Sequence, residues 1–144
     1  MIAPDVNVLI CALRHEMPQH ADFRSWLDTA RHGPSPLVLF EPVLVSVVRI
    51  TTHARAFSRP SALETVQEFF ESLLASPNTK RLRAGERHWE IFLDLCHRAN
   101  CRGPLVQDAY LAALALEHGC EWITADRDFA RFPGLRWRHP LDPE

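Results

Sequence analysis

Lysine is nearly missing from this chain. Of its 16 basic side chains only Lys80 is a lysine, and the rest are arginines. Arginine suits phosphate recognition, because its planar fork binds two oxygens at once. A codon bias toward Arg, Ala and Pro explains the composition as a whole more simply. Excess positive charge is also missing. The net charge of -2 excludes a generally basic nucleic-acid coat, so any contact with nucleic acid must come from a local patch. Zinc-finger spacing is absent too. Cys96 and Cys101 are the closest of four cysteines, and no second Cys/His pair follows them. His97 beside them reads as an exposed helix residue. All four cysteines read as reduced thiols in a cytoplasmic protein. No signal peptide is expected, since the apolar start at Ile2 has no basic region before it and carries Asp5. No membrane span is expected either: the longest apolar run, residues 37–48, is interrupted by Glu41 and Pro42. Repeats, low-complexity tracts and linkers are not found.

What is present fits a globular domain. The 144 residues are 47% hydrophobic and 24% charged, which suits one domain over residues 1–144 with a real core. Residues 2–5 read as a short buried strand and residues 8–13 as the start of a helix. A second helix is expected over 21–31, where Phe23, Trp26, Leu27 and Ala30 recur at helical spacing. The Gly33-Pro34-Ser35-Pro36 loop leads to a continuous apolar strand over 37–40. Glu41-Pro42 then opens a helix to about residue 52, since proline is welcome in a first turn. Ser61 and Glu64 fit a capping box, followed by a stripe of Leu63, Val66, Phe70, Leu73 and Leu74. Residues 80–83 form a weak strand. Residues 86–99 form an amphipathic helix with Trp89, Phe92, Leu93 and Cys96 on one face. A helix from Asp108 ends at Gly119, a natural C′ residue. A strand over 121–125, a short turn through Phe129 and Phe132, and a last strand over 135–137 complete the chain. Strands alternating with helices imply an α/β fold, a three-layer α/β/α sandwich with a mostly parallel central sheet.

Five carboxylates stand where such a fold gathers functional groups: Asp5, Glu41, Asp108, Asp126 and Asp128. Groups in parallel sheets collect outside the carboxyl ends of the strands. Asp5, Glu41 and Asp126 each follow a separate strand. Asp108 is expected in the first turn of its helix, where a carboxylate favours the dipole, with its side chain pointing back toward the sheet edge. Two carboxylates about 4 Å apart cost on the order of 4 kcal/mol at an effective dielectric near 20. Several such pairs call for protons or a divalent cation. Oxygen ligands without a Cys/His set point to Mg²⁺ or Mn²⁺ rather than zinc.

The chain resembles the PIN-domain ribonucleases, and among them the VapC toxins of type II toxin–antitoxin pairs in their mycobacterial-type branch. Four stretches carry the likeness: Pro4-Asp5-Val6-Asn7-Val8-Leu9; Glu41 followed by Val48-Arg49-Ile50-Thr51-Thr52; residues 106–115 around Asp108; and residues 124–135 around Asp126 and Asp128. Each alone is weak; their order and spacing together are strong. The resemblance implies a PIN-like sandwich and a toxic endoribonuclease that hydrolyses RNA phosphodiester bonds with Mg²⁺ or Mn²⁺. It also implies a homodimer held in check by a VapB-type antitoxin, in a higher assembly with it. Carried over by position, Asp5, Asp108 and Asp126 are the metal ligands, with Asp128 beside them and Glu41 as a further catalytic acid. Relatives commonly carry a glutamate further along this helix, where this chain has Ser46. Glu41 is thus left to reach the ion directly or through water. Thr124 and Asn7 are expected to orient the acids as hydrogen-bond donors. Arg14, Arg127 and Arg131 are the candidate phosphate contacts, and Arg49 a structural or interface residue.

Other readings share parts of this pattern. A catalytically weak PIN-fold module that binds RNA or protein would lose acids from the cluster, and none of the main positions is lost. A phosphatase with Asp5 as nucleophile needs an acid two residues on, where this chain has Asn7. A structure-specific DNA nuclease needs extra helical elements for which 144 residues leave no room.

Overall fold

The computed structural model describes residues 1–142; the last two positions of the expected domain, 143–144, lie outside them. Five strands form one sheet: β1 (Ile2–Pro4), β2 (Leu37–Phe40), β3 (Thr79–Leu82), β4 (Glu121–Ile123) and β5 (Trp137–Arg138). Their spatial order is β3-β2-β1-β4-β5, and every pairing is parallel. Six helices connect them: α1 (Val6–Leu13), α2 (His20–His32), α3 (Glu41–Thr51), α4 (Leu63–Leu74), α5 (His88–Arg98) and α6 (Pro104–Glu117). All four residues of β2 have no exposed surface, so both faces of the sheet are covered there. The core is apolar throughout, from Leu9 and Leu27 through Phe40 and Trp122 to Leu114 and Phe129.

The topology decides where function can sit. The chain starts in the middle at β1 and moves outward through β2 to β3. It then crosses back to β4 on the other side of β1. The order therefore reverses between β1 and β4, and the crevice outside their carboxyl ends is the switch point of an open parallel sheet. Asp5 follows β1 directly, and Thr124 to Asp126 follow β4.

Three local expectations are overturned. The capping box at Ser61 does not form: Ala62 is the N-cap of α4, without a side-chain cap. Ser61 Oγ instead accepts a 2.7 Å hydrogen bond from Arg14. Arg14 is almost fully buried. It also donates to Arg59 O at 2.7 Å, pairs with Glu16, and stacks over Phe57 at 4.1 Å. A buried guanidinium with few other acceptors outcompetes a local cap. This also removes Arg14 as a phosphate contact, because it fastens the α3–α4 connection to the end of α1. Second, the apolar stripes of α4 and α5 are rotated. Val66, Phe69 and Leu73 are buried on α4, whereas Leu63 is 56% exposed. His88, Phe92 and Leu95 are buried on α5, whereas Trp89 is 64% exposed. His88 takes an inner position because its Nε2 meets Tyr110 O at 3.0 Å and its ring packs on Tyr110 and Phe92. Third, α6 starts at Pro104, so Asp108 lies in its second turn rather than its first. Pro104 supplies the N1 signal four residues earlier.

The α5–α6 pair is fastened at the entry to α5 by a residue from α6. Glu117 accepts hydrogen bonds from Gly85 N at 2.8 Å and Arg87 N at 3.0 Å. Its side chain thereby does the work of a cap that Arg87, the N-cap residue, does not supply. A Cβ on Gly85 would stand 2.6 Å from Glu117 Oε1. Gly85→Ala is therefore expected to cost about 1 kcal/mol, the scale of a lost N-cap. Glu117→Ala should cost a similar amount, and the double variant clearly less than their sum, because both remove one interaction. Urea midpoints of the four proteins measure this.

Candidate functional site

Asp5 is the centre of the crevice. It is 5% exposed and caps α1, its Oδ1 accepting from Val6 N at 2.7 Å. Its Oδ2 accepts from Thr124 Oγ1 at 2.6 Å and from Asn7 Nδ2 at 2.9 Å. Asp5 N donates to Ile123 O at 2.8 Å, which ties it to the end of β4. Thr124 is wholly buried, and its hydroxyl is saturated. Besides donating to Asp5 it accepts from Asn7 Nδ2 at 3.1 Å and from Asp126 N at 3.0 Å. Asn7 Oδ1 accepts from Ala125 N at 3.1 Å. The expectation that Thr124 and Asn7 position the acids thus has a specific form. Together they staple the chain after β1 to the chain after β4.

The other aspartates converge on this network. Asp126 caps the short 3₁₀ turn Arg127–Arg131, its Oδ1 accepting from Asp128 N at 2.8 Å. Burial pushes Asp5 up to about 6, against the pull of the Thr124 hydroxyl and the Val6 amide, and the charges of Asp108 and Asp126 push it further up. Burial also raises Asp108, with Asp126 and Asp128 adding to the shift and Arg131 opposing it. Asp5 therefore feels the charges of Asp108 and Asp126, and Asp108 those of Asp126 and Asp128. No protein hydrogen bond reaches the Asp108 carboxylate among the described residues. Asp128 is exposed and pairs with Arg131 at 3.1 Å.

Glu41 stands at the same sheet edge but faces another way. Its carboxylate pairs with Arg81 at 3.5 Å across the end of β3. It lines a cleft of about 460 Å³ with Ser46, Arg83, Gln107 and Tyr110. Gln107 precedes Asp108 on α6, and none of the four aspartates lines this cleft. Arg83 and Arg81 were not singled out from the sequence. The only signal for them is the alternation of charge along the weak strand β3. Arg127 is exposed, as is Arg49 on α3.

The donor set suits a hard divalent ion. It is all carboxylate and hydroxyl oxygen, and like charges are packed where burial already penalises them. Among the described residues no three His, Cys, Asp or Glu side chains stand close enough to grip an ion as they are. Mg²⁺ commonly binds through one or two carboxylates and keeps several waters, so a closed cage is not required.

A sequence model of the PIN domain matches residues 2–135, so the chain belongs to the PIN-domain family. Within it the chain falls among the VapC ribonucleases. It is 44% identical to a VapC ribonuclease of Mycobacterium bovis and to ribonuclease VapC43 of Mycobacterium tuberculosis, over 99% of this chain and 97% of each relative. It is 37% identical to ribonuclease VapC25 of Mycobacterium tuberculosis, over 97% of this chain and 99% of the relative. The fold is shared with VapBC2 of Rickettsia felis bound to a promoter DNA fragment. That match has a TM-score of 0.71 at 14% identity and covers 96% of this chain and 98% of that one. It is shared too with VapC20 of Mycobacterium tuberculosis, a toxin that cleaves the sarcin–ricin loop. There the TM-score is 0.67 at 14% identity, covering 94% of this chain and 99% of that one.

The raised Asp5 has a consequence for stability. Its folded value of about 6 lies above the ordinary 3.8 expected of the unfolded chain. Between those values the native state holds the extra proton, so stability falls as pH rises through that window and stays lower above it. The loss is about 3 kcal/mol for a shift of about two units. Wild type minus Asp5→Asn, compared by thermal unfolding in chelator, should fall steadily from pH 4 to 6 and level off above pH 7. A flat difference would contradict the burial assigned to Asp5.

Proposed function

We propose that this protein is a toxic endoribonuclease, the toxin of a type II toxin–antitoxin pair, that hydrolyses RNA phosphodiester bonds with Mg²⁺ or Mn²⁺. The observation that carries the reading is the buried Asp5 at the switch point, flanked by Asp108 and Asp126. The chain around it is 44% identical to VapC ribonucleases over nearly its whole length. Asp5, Asp108 and Asp126 would hold the ion. Once bound, it would supply charge neutralisation at the scissile phosphate and a water of lowered pKa for in-line attack.

The protein's own part is positioning. Val6 N, Thr124 and Asn7 fix the rotamer of Asp5 and consume three of its lone-pair directions, which leaves it one direction for the ion. Asp108 offers both oxygens. Asp128 holds Arg131 at the rim, where a guanidinium can meet an adjacent phosphate. Glu41 reaches the centre through water while it stays paired with Arg81. RNA would enter along the cleft past Arg83 and Gln107.

The partners follow from the family. Solved structures sharing the fold include toxin–antitoxin complexes, which supports a VapB-type antitoxin for this chain. Trp89 and Leu93, 64% and 40% exposed on successive turns of α5, support a homodimer. Four free cysteines support a cytoplasmic setting. No helix among the described residues is long and apolar enough to cross a membrane. A catalytically weak binding module is disfavoured, because Asp5, Asp108 and Asp126 all remain.

In an RNA-cleavage assay at saturating Mg²⁺ or Mn²⁺, Asp5→Asn and Asp108→Asn are each expected to lower the rate about 100-fold or more. Mn²⁺ should raise the unfolding temperature of wild type and not of Asp5→Asn. Undiminished cleavage by Asp5→Asn would refute the assignment. Co-expression with the upstream open reading frame should restore growth and co-purify its product.

A further inference from the structure

The C-terminal turn of α5 contains two thiols that the acid cluster does not use. Ala99 is the C-cap. Asn100 follows in the left-handed region at φ +47°, which asparagine tolerates better than other residues with a side chain. Asn100 N donates to His97 O at 3.2 Å, and Cys101 N donates to Cys96 O at 2.9 Å. These are the 5→2 and 6→1 bonds of a Schellman motif, with Cys96 at C3 and Cys101 at C″. That motif normally closes on an apolar contact between the side chains at these two positions. Here both positions are cysteine.

The surroundings make the two thiols unequal. Cys101 is 4% exposed, and Cys96 is half-buried. Burial pushes the Cys101 thiol up, and the nearby Cys96 thiol adds to the shift, while Cys101 Sγ donates to Leu95 O at 3.9 Å. Cys11 lies on α1 and Cys120 before β4; neither has another thiol among the groups that shift it. Disulfides need two cysteines close together along the backbone and side by side, and the 6→1 closure brings Cys101 N within 2.9 Å of Cys96 O.

We propose that Cys96 and Cys101 are a thiol-oxidation site, at which a hydroperoxide forms an intramolecular disulfide across the end of α5. The more accessible Cys96 thiolate attacks the peroxide. The O–O bond breaks, an alcohol or water leaves, and Cys96 becomes a sulfenic acid. The Cys101 sulfur then displaces the hydroxyl, which departs as water with the Cys101 proton. Two thiols lose two electrons, and one peroxide gains them. The new bond fastens the turn that leads through Gly103 into α6, the helix carrying Asp108. Its formation is read as a mass change and needs no RNA cleavage by the acid cluster.

The full chain, folded, is treated with hydrogen peroxide, alkylated and digested with trypsin, which cuts after Arg98 between the two cysteines. The expected product is a pair of peptides joined through Cys96 and Cys101, lighter by two hydrogens than the separate thiols. The joined pair should persist in the Cys11→Ser/Cys120→Ser variant and be absent from Cys96→Ser and Cys101→Ser. In glutathione redox buffers the effective concentration of the pair should be at least about tenfold higher in the folded protein than in guanidinium. An equal or lower value in the folded state, a linkage through Cys11 or Cys120, or no linkage would overturn the proposal. The last comparison is decisive, because closeness in sequence alone would act equally in the unfolded chain.

Discussion

The hydrogen bond from the Thr124 hydroxyl to Asp5 joins the two strands between which the sheet reverses its order. Around it the chain resolves a conflict. A carboxylate buried to this degree resists ionisation, and its neighbours Asp108 and Asp126 add repulsion. Three donors from Val6, Asn7 and Thr124 offset part of that cost and hold the side chain in one orientation. What they do not offset is charge. The network can hold Asp5 in place without neutralising it, which is the condition a hard cation relieves. Stability is given up wherever a carboxylate buried to this degree must ionise beside two others.

The basic residues complement this arrangement by being divided. Arg14 is withdrawn into the structure, where it closes the α3–α4 connection. Arg81 neutralises Glu41, and Arg131 is anchored on Asp128. Arg83 lines the cleft beside Glu41. A polyanion approaching an acidic centre meets repulsion that only a cation removes, and meets local attraction from the rim. A chain of net charge -2 can therefore handle RNA without a general basic surface.

Much of the fold was legible because its signals were strong and local. The apolar run at residues 37–40 is a strand covered on both faces, Pro42 marks a helix start, and Gly119 at φ +64° follows a helix end. The aspartates at the ends of β1 and β4 could be placed because strand ends in parallel sheets share one edge. The start of α6 was set by a local signal, Pro104 in its first turn, whereas the cap at Ser61 and the face of α5 were decided by tertiary contacts that overrode local ones. Ser61 left its capping role for Arg14, a partner 47 residues away. The face of α5 turned because a histidine found a carbonyl and two aromatic rings inside, which left Trp89 outside. Glu41 has an acid's position at the strand end, but no sequence rule announced that Arg81, on the neighbouring strand, would claim its carboxylate.

Asp108 shows how far the site depends on the rest of the molecule. Asp5 is tied to the end of β4 through Ile123 O and Thr124, and Asp126 is held next to it by Thr124 and by the turn it caps. Asp108 is on a helix and makes no such bond, so its position is that of α6. That helix is bracketed by α5 at both ends: Glu117 holds the entry to α5, and the Schellman turn around Asn100 sets the angle at which the chain leaves α5 for α6. Packing between them is dense and partly polar, through His88 and Tyr110. The distance between Asp108 and the two sheet-borne aspartates is therefore a property of the α5–α6 pair. The Asp5–Thr124 staple, by contrast, belongs to the strand ends, so the cluster is assembled from two separately held parts of the molecule.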